Sequence, residues 1–132
     1  MGQQQLLLLV LSAIIVGIAI VVGINLFSEG AVQANQDAVT QDVATIGARA
    51  QEWYRKPKEL GGGGHSFTGL TLAELNIDST NANGTFSVAV TASDVAVTGI
   101  GTEDGDGDGT NLTVTATYDS SGVKTPLAVT NH

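Results

Sequence analysis

From Leu6 to Phe27, sixteen of twenty-two residues are Leu, Ile, Val or Phe, and no charged side chain occurs before Glu29. Read as a helix at about 1.5 Å per residue, the run reaches roughly 33 Å, enough to cross the hydrocarbon core of a bilayer. At about −0.3 to −0.6 kcal/mol per such residue, insertion is favoured by on the order of 5–10 kcal/mol. Ser12 and Asn25 subtract little. The apolar residues fall on every side of the helix, so it needs apolar cover all round, which a small soluble domain cannot supply. A cleaved secretory signal is the alternative, with Val32-Gln33-Ala34 as a small-residue cleavage site. The run exceeds the usual apolar core of a signal, and no basic residue precedes it. Arg49 is the first basic residue, too far along to set orientation by loop charge.

After Phe27 the pattern becomes one-sided. Val32, Val39, Val43, Ile46, Ala50 and Trp53 recur at helical spacing and form one stripe of a continuing helix. Gln33, Asn35, Gln36, Asp37, Gln41, Asp42 and Gln51 read as its solvated flank. Acidic Asp37 and Asp42 precede basic Arg49, Arg55 and Lys56, an order that suits the helix dipole. Gly30 and Gly47 weaken the helix locally, by about 1 kcal/mol each relative to Ala, and Pro57 closes it. The expected helix covers residues 5–56, far longer than a globular average.

The rest of the 132-residue chain has room for one small domain with a thin core. A net charge of −8 argues against a nucleic-acid groove, which needs clustered Lys and Arg. Without cysteine there is no disulfide framework or thiolate chemistry. Gly61-Gly62-Gly63-Gly64 reads as a flexible joint, and Thr71-Leu72-Ala73-Glu74 has capping-box spacing for a short helix through Leu75. From Thr85 the period becomes two. Phe86, Val88 and Val90 alternate with polar or small residues, as do Leu112, Val114, Ala116 and Tyr118. Val95–Ile100 and Val123–Thr130 read as further strands. Pro126 confines the last to an edge, and Asp119-Ser120-Ser121-Gly122 makes the final turn. The expected fold class is α+β: the long helix covers a four-stranded antiparallel sheet through Val39, Val43, Ile46 and Trp53. Its expected divisions are an apolar half-helix (1–28), an amphipathic half-helix (29–57), a Gly-rich linker with a short helix (58–84) and the sheet (85–132).

An N-terminal helix of this two-part kind followed by a small β domain resembles the type IV pilins and pseudopilins. The resemblance covers Met1 to about Pro57 in sequence and the remainder in architecture. It implies a pilin-like fold, a leader trimmed by a prepilin peptidase, N-methylation, and polymerisation with the apolar half-helices forming the filament core. Two processing frames fit. With Met1 as the mature start, Gln5-Leu6 stands where the family has a glutamate and an aliphatic residue. With cleavage between Gly2 and Gln3, the chain is similar to some archaeal pilins, and Leu7 takes the glutamate's place. In the family that carboxylate is thought to neutralise a neighbour's terminal amine. Gln5 accepts a hydrogen bond but cancels no charge. A basic leader is expected upstream of the sequence given. The resemblance makes Gln5, Leu6, Leu7, Leu11, Ile14, Ile18, Val22 and Phe27 the assembly helix, with Gly17 and Gly23 permitting close approach or local unwinding.

Asp104-Gly105-Asp106-Gly107-Asp108-Gly109 is the one pointed chemical signal. Carboxylates at alternate positions match the first half of a calcium-binding EF-hand loop, but Thr115 occupies the place of the bidentate Glu. Asp104, Asp106 and Asp108 therefore read as a polar hairpin loop or as a Ca²⁺ site helped by Glu103. Some pseudopilins carry structural calcium near the C-terminus. No other cofactor is expected. His65-Ser66 reads as a loop pair without a catalytic partner, and Trp53-Tyr54 as packing. Arg55, Lys56 and Lys58 form either a solvated helix end or a partner for a neighbouring subunit's acidic loops. Asn83-Gly84-Thr85 and Asn111-Leu112-Thr113 fit the glycan acceptor pattern. The expected function is non-enzymatic: a structural subunit of a type IV pilus-like filament. Such a subunit is held in the inner membrane before assembly, handled by pilus or secretion assembly machinery, and displayed on the cell surface as a helical homo-oligomer. The alternatives are a minor pseudopilin and a membrane-anchored extracellular binding module.

Overall fold

One helix, α1 (Gly2–Arg55), carries both halves of the N-terminal pattern without interruption. The computed structural model describes residues 2–131; Met1, the start in one of the two processing frames, and His132 lie outside that range. Serine and threonine hydroxyls inside α1 do not break it. Ser12 Oγ donates to the Leu8 carbonyl at 2.8 Å and Thr45 Oγ1 to that of Gln41 at 2.9 Å. The chain forms two compact units, one ending at Ala31 and the other beginning at Val32.

In the second unit a long helix packs against an antiparallel sheet, as expected. The sheet has five strands rather than four: β1 (Thr80–Asn81), β2 (Gly84–Val90), β3 (Asp94–Gly101), β4 (Thr113–Asp119) and β5 (Gly122–Thr130). They lie side by side in chain order, all antiparallel. The additional strand is two residues long and polar, too short to show a period of two. The other four agree with expectation to within a residue or so. Pro126 lies in β5, an edge strand, where a missing N–H breaks no ladder on its open side.

Register places Phe86, Gly99, Val114 and Val129 in one row, with Val88, Val97 and Ala116 in the next and Val90, Val95 and Tyr118 in a third. Val39, Val43, Ile46 and Ala50 of α1 are buried on this face, and partly buried Trp53 packs against the same core. Two glycines let the layers meet. A Cβ at Gly99 would press into Val39, Val43 and Phe86, and one at Gly47 would overlap the Tyr118 ring.

Beyond Arg55 the four glycines are a hydrogen-bonded cap rather than a free joint. After Pro57 and a 3-10 turn (Lys58–Leu60), Gly63 N–H donates to the Trp53 carbonyl, Gly64 to Lys56 and His65 to Tyr54, at 2.8–3.0 Å. These satisfy carbonyls that a helix end otherwise leaves open. Gly63 is buried where a Cβ would strike the Trp53 ring and the Ser66 carbonyl. Nor does Thr71–Leu75 form a helix. Thr71 Oγ1 accepts from the Glu74 amide at 3.3 Å, as a cap would, but the chain turns at once through Asn76, whose φ is 55°.

Several flank residues are only partly solvated and tie the helix to the rest of the unit. Asn35 donates to the Asn83 carbonyl (2.8 Å) and accepts from the amides of Thr102 (2.9 Å) and Glu103 (3.3 Å). Asp42 accepts from the side-chain amides of Asn81 and Asn83, at 3.1 and 2.9 Å. Further along, Gln51 and Arg49 donate to the carbonyls of Asp119 and Leu75. Replacing half-buried Asn35 with alanine strands three backbone groups and is expected to cost about 1–3 kcal/mol. Thermal melting of the full chain in detergent checks this; an unchanged midpoint contradicts the role.

Candidate functional site

Two features carry functional potential: the bare apolar helix of the first unit and the acidic loop of the second. All sixteen Leu, Ile, Val and Phe side chains between Leu6 and Phe27 are 50–81% exposed. Leu6, Leu7, Leu11, Ile14, Ile18, Val22 and Phe27, the expected assembly residues, belong to this set, and Gln5 is exposed beside them. Gly2 and Gln3 are exposed at the helix start. An 18-residue window of the helix has mean hydropathy 3.1 with none of it buried. By length and composition the segment suits a membrane span or a signal segment, and equally a helix buried among other helices. Gly17 and Gly23 leave open notches in it, with nothing near where a Cβ would stand.

The acidic loop joins β3 to β4, and two bonds close its base: Gly101 N–H to the Leu112 carbonyl and Leu112 N–H to that of Glu103, each 2.8 Å. Asp104, Asp106 and Asp108 come together, each offering a carboxylate oxygen within 4.8 Å of the others. Such a trio can coordinate a divalent cation, and its oxygen-only donors suit a hard ion. Glu103, expected to help, is not part of the trio. Thr115 lies in β4, so the second half of an EF-hand is replaced by a strand.

Within the loop the carboxylates also organise backbone. Asp104 accepts from Gly107 N–H (2.8 Å) through one oxygen and from Gly109 N–H (2.7 Å) through the other. Gly107 and Gly109 stand at φ 76° and 90°, which glycine adopts without strain. Asp106 accepts from Asp108 N–H and Asp108 from Thr110 N–H, each through one oxygen. The bond from Gly109, followed by that from Gly107, holds the Asp104 carboxyl below its usual 3.8. A group depressed in this way supports the folded loop above its ordinary pKa and loses that support as pH falls through the lower, folded value. The Gly107 and Gly109 amide resonances are therefore expected to titrate together with a midpoint below 3.8; a midpoint at or above it removes Asp104 as their anchor.

The remaining sequence candidates have structural surroundings. His65 sits at φ 64° with its ring edge-on to Tyr54, whose ring packs on Phe67 with centroids 4.7 Å apart. Both glycan-acceptor asparagines already use their side-chain nitrogens, Asn83 toward Asp42 and Asn111 toward the Gly101 carbonyl at 3.0 Å. At the final turn Asp119 accepts from the Ser121 hydroxyl and amide and from Gly122 N–H, bonds that lower its pKa. Lys124 pairs with Asp94 at 2.7 Å, and that bond raises the lysine's pKa.

Sequence reading missed Asn35 and Asp42 as connectors. The one available signal was the spacing of seven between them, which puts both on one side of α1, next to the apolar stripe. Compared with protein-family models, with curated proteins and with solved structures, the chain finds no match. The structure shows a long N-terminal apolar helix whose second half packs on a C-terminal antiparallel sheet, an arrangement consistent with a pilin-like fold in general.

Proposed function

We propose that this protein is the structural subunit of an extracellular, type IV pilus-like filament. The observation that carries the reading is the first unit: sixteen large apolar side chains, all at least half exposed, distributed around a helix without a charge before Glu29. Left in water such a surface costs about 25 cal/mol per Å², so the helix has two stable homes, the bilayer and a bundle of its own kind. In this reading the helix resides in the inner membrane after synthesis, assembly machinery extracts it, and sister helices then cover it. The second unit supplies the outer surface. Its fold resists unpeeling because the apolar stripe and the polar ties at Asn35, Asp42 and Gln51 hold helix to sheet.

The role is non-enzymatic. Asp104, Asp106 and Asp108 would hold calcium as a loop-stiffening ion, with further oxygens from backbone or water, because Ca²⁺ takes 6–8 ligands. Overexpression followed by mechanical shearing is expected to release detergent-free filaments visible by electron microscopy. Intact-mass analysis of their subunit locates the mature N-terminus among the Met1 and Gln3 frames. Recovery of the chain solely as detergent-extracted monomers would favour a membrane-anchored module and reject the filament.

A further inference from the structure

We propose that Asn111 is the attachment site of an N-linked glycan, an inference that rests on the extracellular placement in the reading above. The chain holds two acceptor tripeptides, Asn83-Gly84-Thr85 and Asn111-Leu112-Thr113, and the fold treats them differently. Asn111 is exposed where the β3–β4 loop enters β4. Its side-chain nitrogen donates to the Gly101 carbonyl at 3.0 Å. A primary amide carries two N–H groups and a glycosylated one keeps the second, so this bond and a sugar are compatible. On the loop side, the residues from Gly105 to Thr110 are all exposed, which leaves room for a bulky substituent.

Asn83 has no such freedom. It is half-buried, and its side-chain nitrogen lies 2.9 Å from the Asp42 oxygen that also accepts from Asn81. Its carbonyl accepts from Asn35, and its backbone N–H donates to Asn81. A sugar on this nitrogen would stand in the seam where Asn35 and Asp42 of α1 hold the segment joining β1 to β2.

Both tripeptides are closed into the finished sheet. Leu112 is fully buried, its N–H on the Glu103 carbonyl and its own carbonyl on Gly101 N–H, and Gly84 is buried in β2. A transferase that grips the tripeptide therefore acts before the sheet closes, and folding then admits the product at Asn111 alone. In the transfer the Asn111 amide nitrogen attacks the anomeric carbon of a polyprenyl phosphate-linked sugar. The C–N bond forms, the C–O bond to phosphate breaks, the lipid phosphate leaves, and one amide proton passes to a base of the transferase. Thr113 supplies the hydroxyl that the acceptor pattern requires, and in the folded chain it donates to the Asn111 carbonyl at 3.3 Å.

The test is mass spectrometry of the full chain recovered from its native cells, in sheared and membrane fractions, after cleavage at glutamate. Cuts after Glu74 and Glu103 put the two asparagines on separate fragments, 75–103 and 104–132. The expected result is a sugar mass increment on 104–132 and the bare mass for 75–103. Asn111→Gln and Thr113→Val should each lose the increment, while Thr113→Ser should keep it. An increment that survives Asn111→Gln lies on another residue and overturns the assignment, as does one found on 75–103 instead. A bare 104–132 fragment from chains that do form sheared filaments sinks the glycan and leaves the filament reading standing. A glycan at Asn111 on chains recovered solely as detergent-extracted monomers supports the site and rejects the filament. Bare chains that never leave the membrane fraction reject both.

Discussion

Replacing Ile18 with lysine is expected to cut the yield of sheared filaments by about 100-fold or more. Ile18 is 61% exposed in the middle of the apolar run. A lysine at the centre of a membrane helix costs about 2.5–3.5 kcal/mol on insertion scales, and the isoleucine's favourable contribution is lost as well. At 1.4 kcal/mol per tenfold, the sum reaches about two to three decades. The same charge would have no partner in a bundle of sister helices, so both stable homes reject it. Ile18→Leu keeps the apolar surface and should leave yield unchanged. The melting of the second unit should be the same in all three chains. Immunoblotting of sheared and membrane fractions reads the outcome, and an undiminished lysine variant would mean that this surface is never covered.

Gly47→Val should destabilise the second unit more than any surface change. A Cβ there collides with the Tyr118 ring, itself only 5% exposed. Overpacking of this kind costs about 1–3 kcal/mol, and valine recovers only part of glycine's deficit in a helix. A net loss of about 2 kcal/mol lowers the melting temperature by roughly 10 °C in a domain of this size. Because the clash is with one ring, Gly47→Val combined with Tyr118→Ala should be less damaging than the two single losses added. Additive losses would place the strain elsewhere.

Gly47 also illustrates how far a chain of this kind can be read unaided. Its presence in a helix is visible in the sequence as a weakness; the ring that needs it, seventy-one residues away, is not. Val39, Val43, Ile46 and Ala50 were legible because burial on one side of a helix enforces a period, and strands β2 to β4 for the same reason. Polar residues obey no such rule. Asn35, Asp42 and Gln51 have the same chemistry whether they face water or a carbonyl across the layer, and composition alone assigns them to water. Four consecutive glycines likewise signal freedom, yet here the absence of side chains lets the backbone fold back onto the helix carbonyls. In the acidic loop the spacing of Asp104, Asp106 and Asp108 foretold their convergence, while the use of both Asp104 oxygens by Gly107 and Gly109 could not be seen.

Strands laid down in chain order have a kinetic consequence. Every ladder joins sequence neighbours, so each hairpin closes a short loop and can zip early at small entropic expense. The sheet so formed would still present Phe86, Val97 and Val114 to water, because their cover is supplied from the far end of the chain by Val39, Val43 and Ile46. Arrival of that helix is the event of longest sequence separation in folding this unit, and with Phe67, Leu70 and Leu75 it turns a meander of hairpins into a cooperative solid.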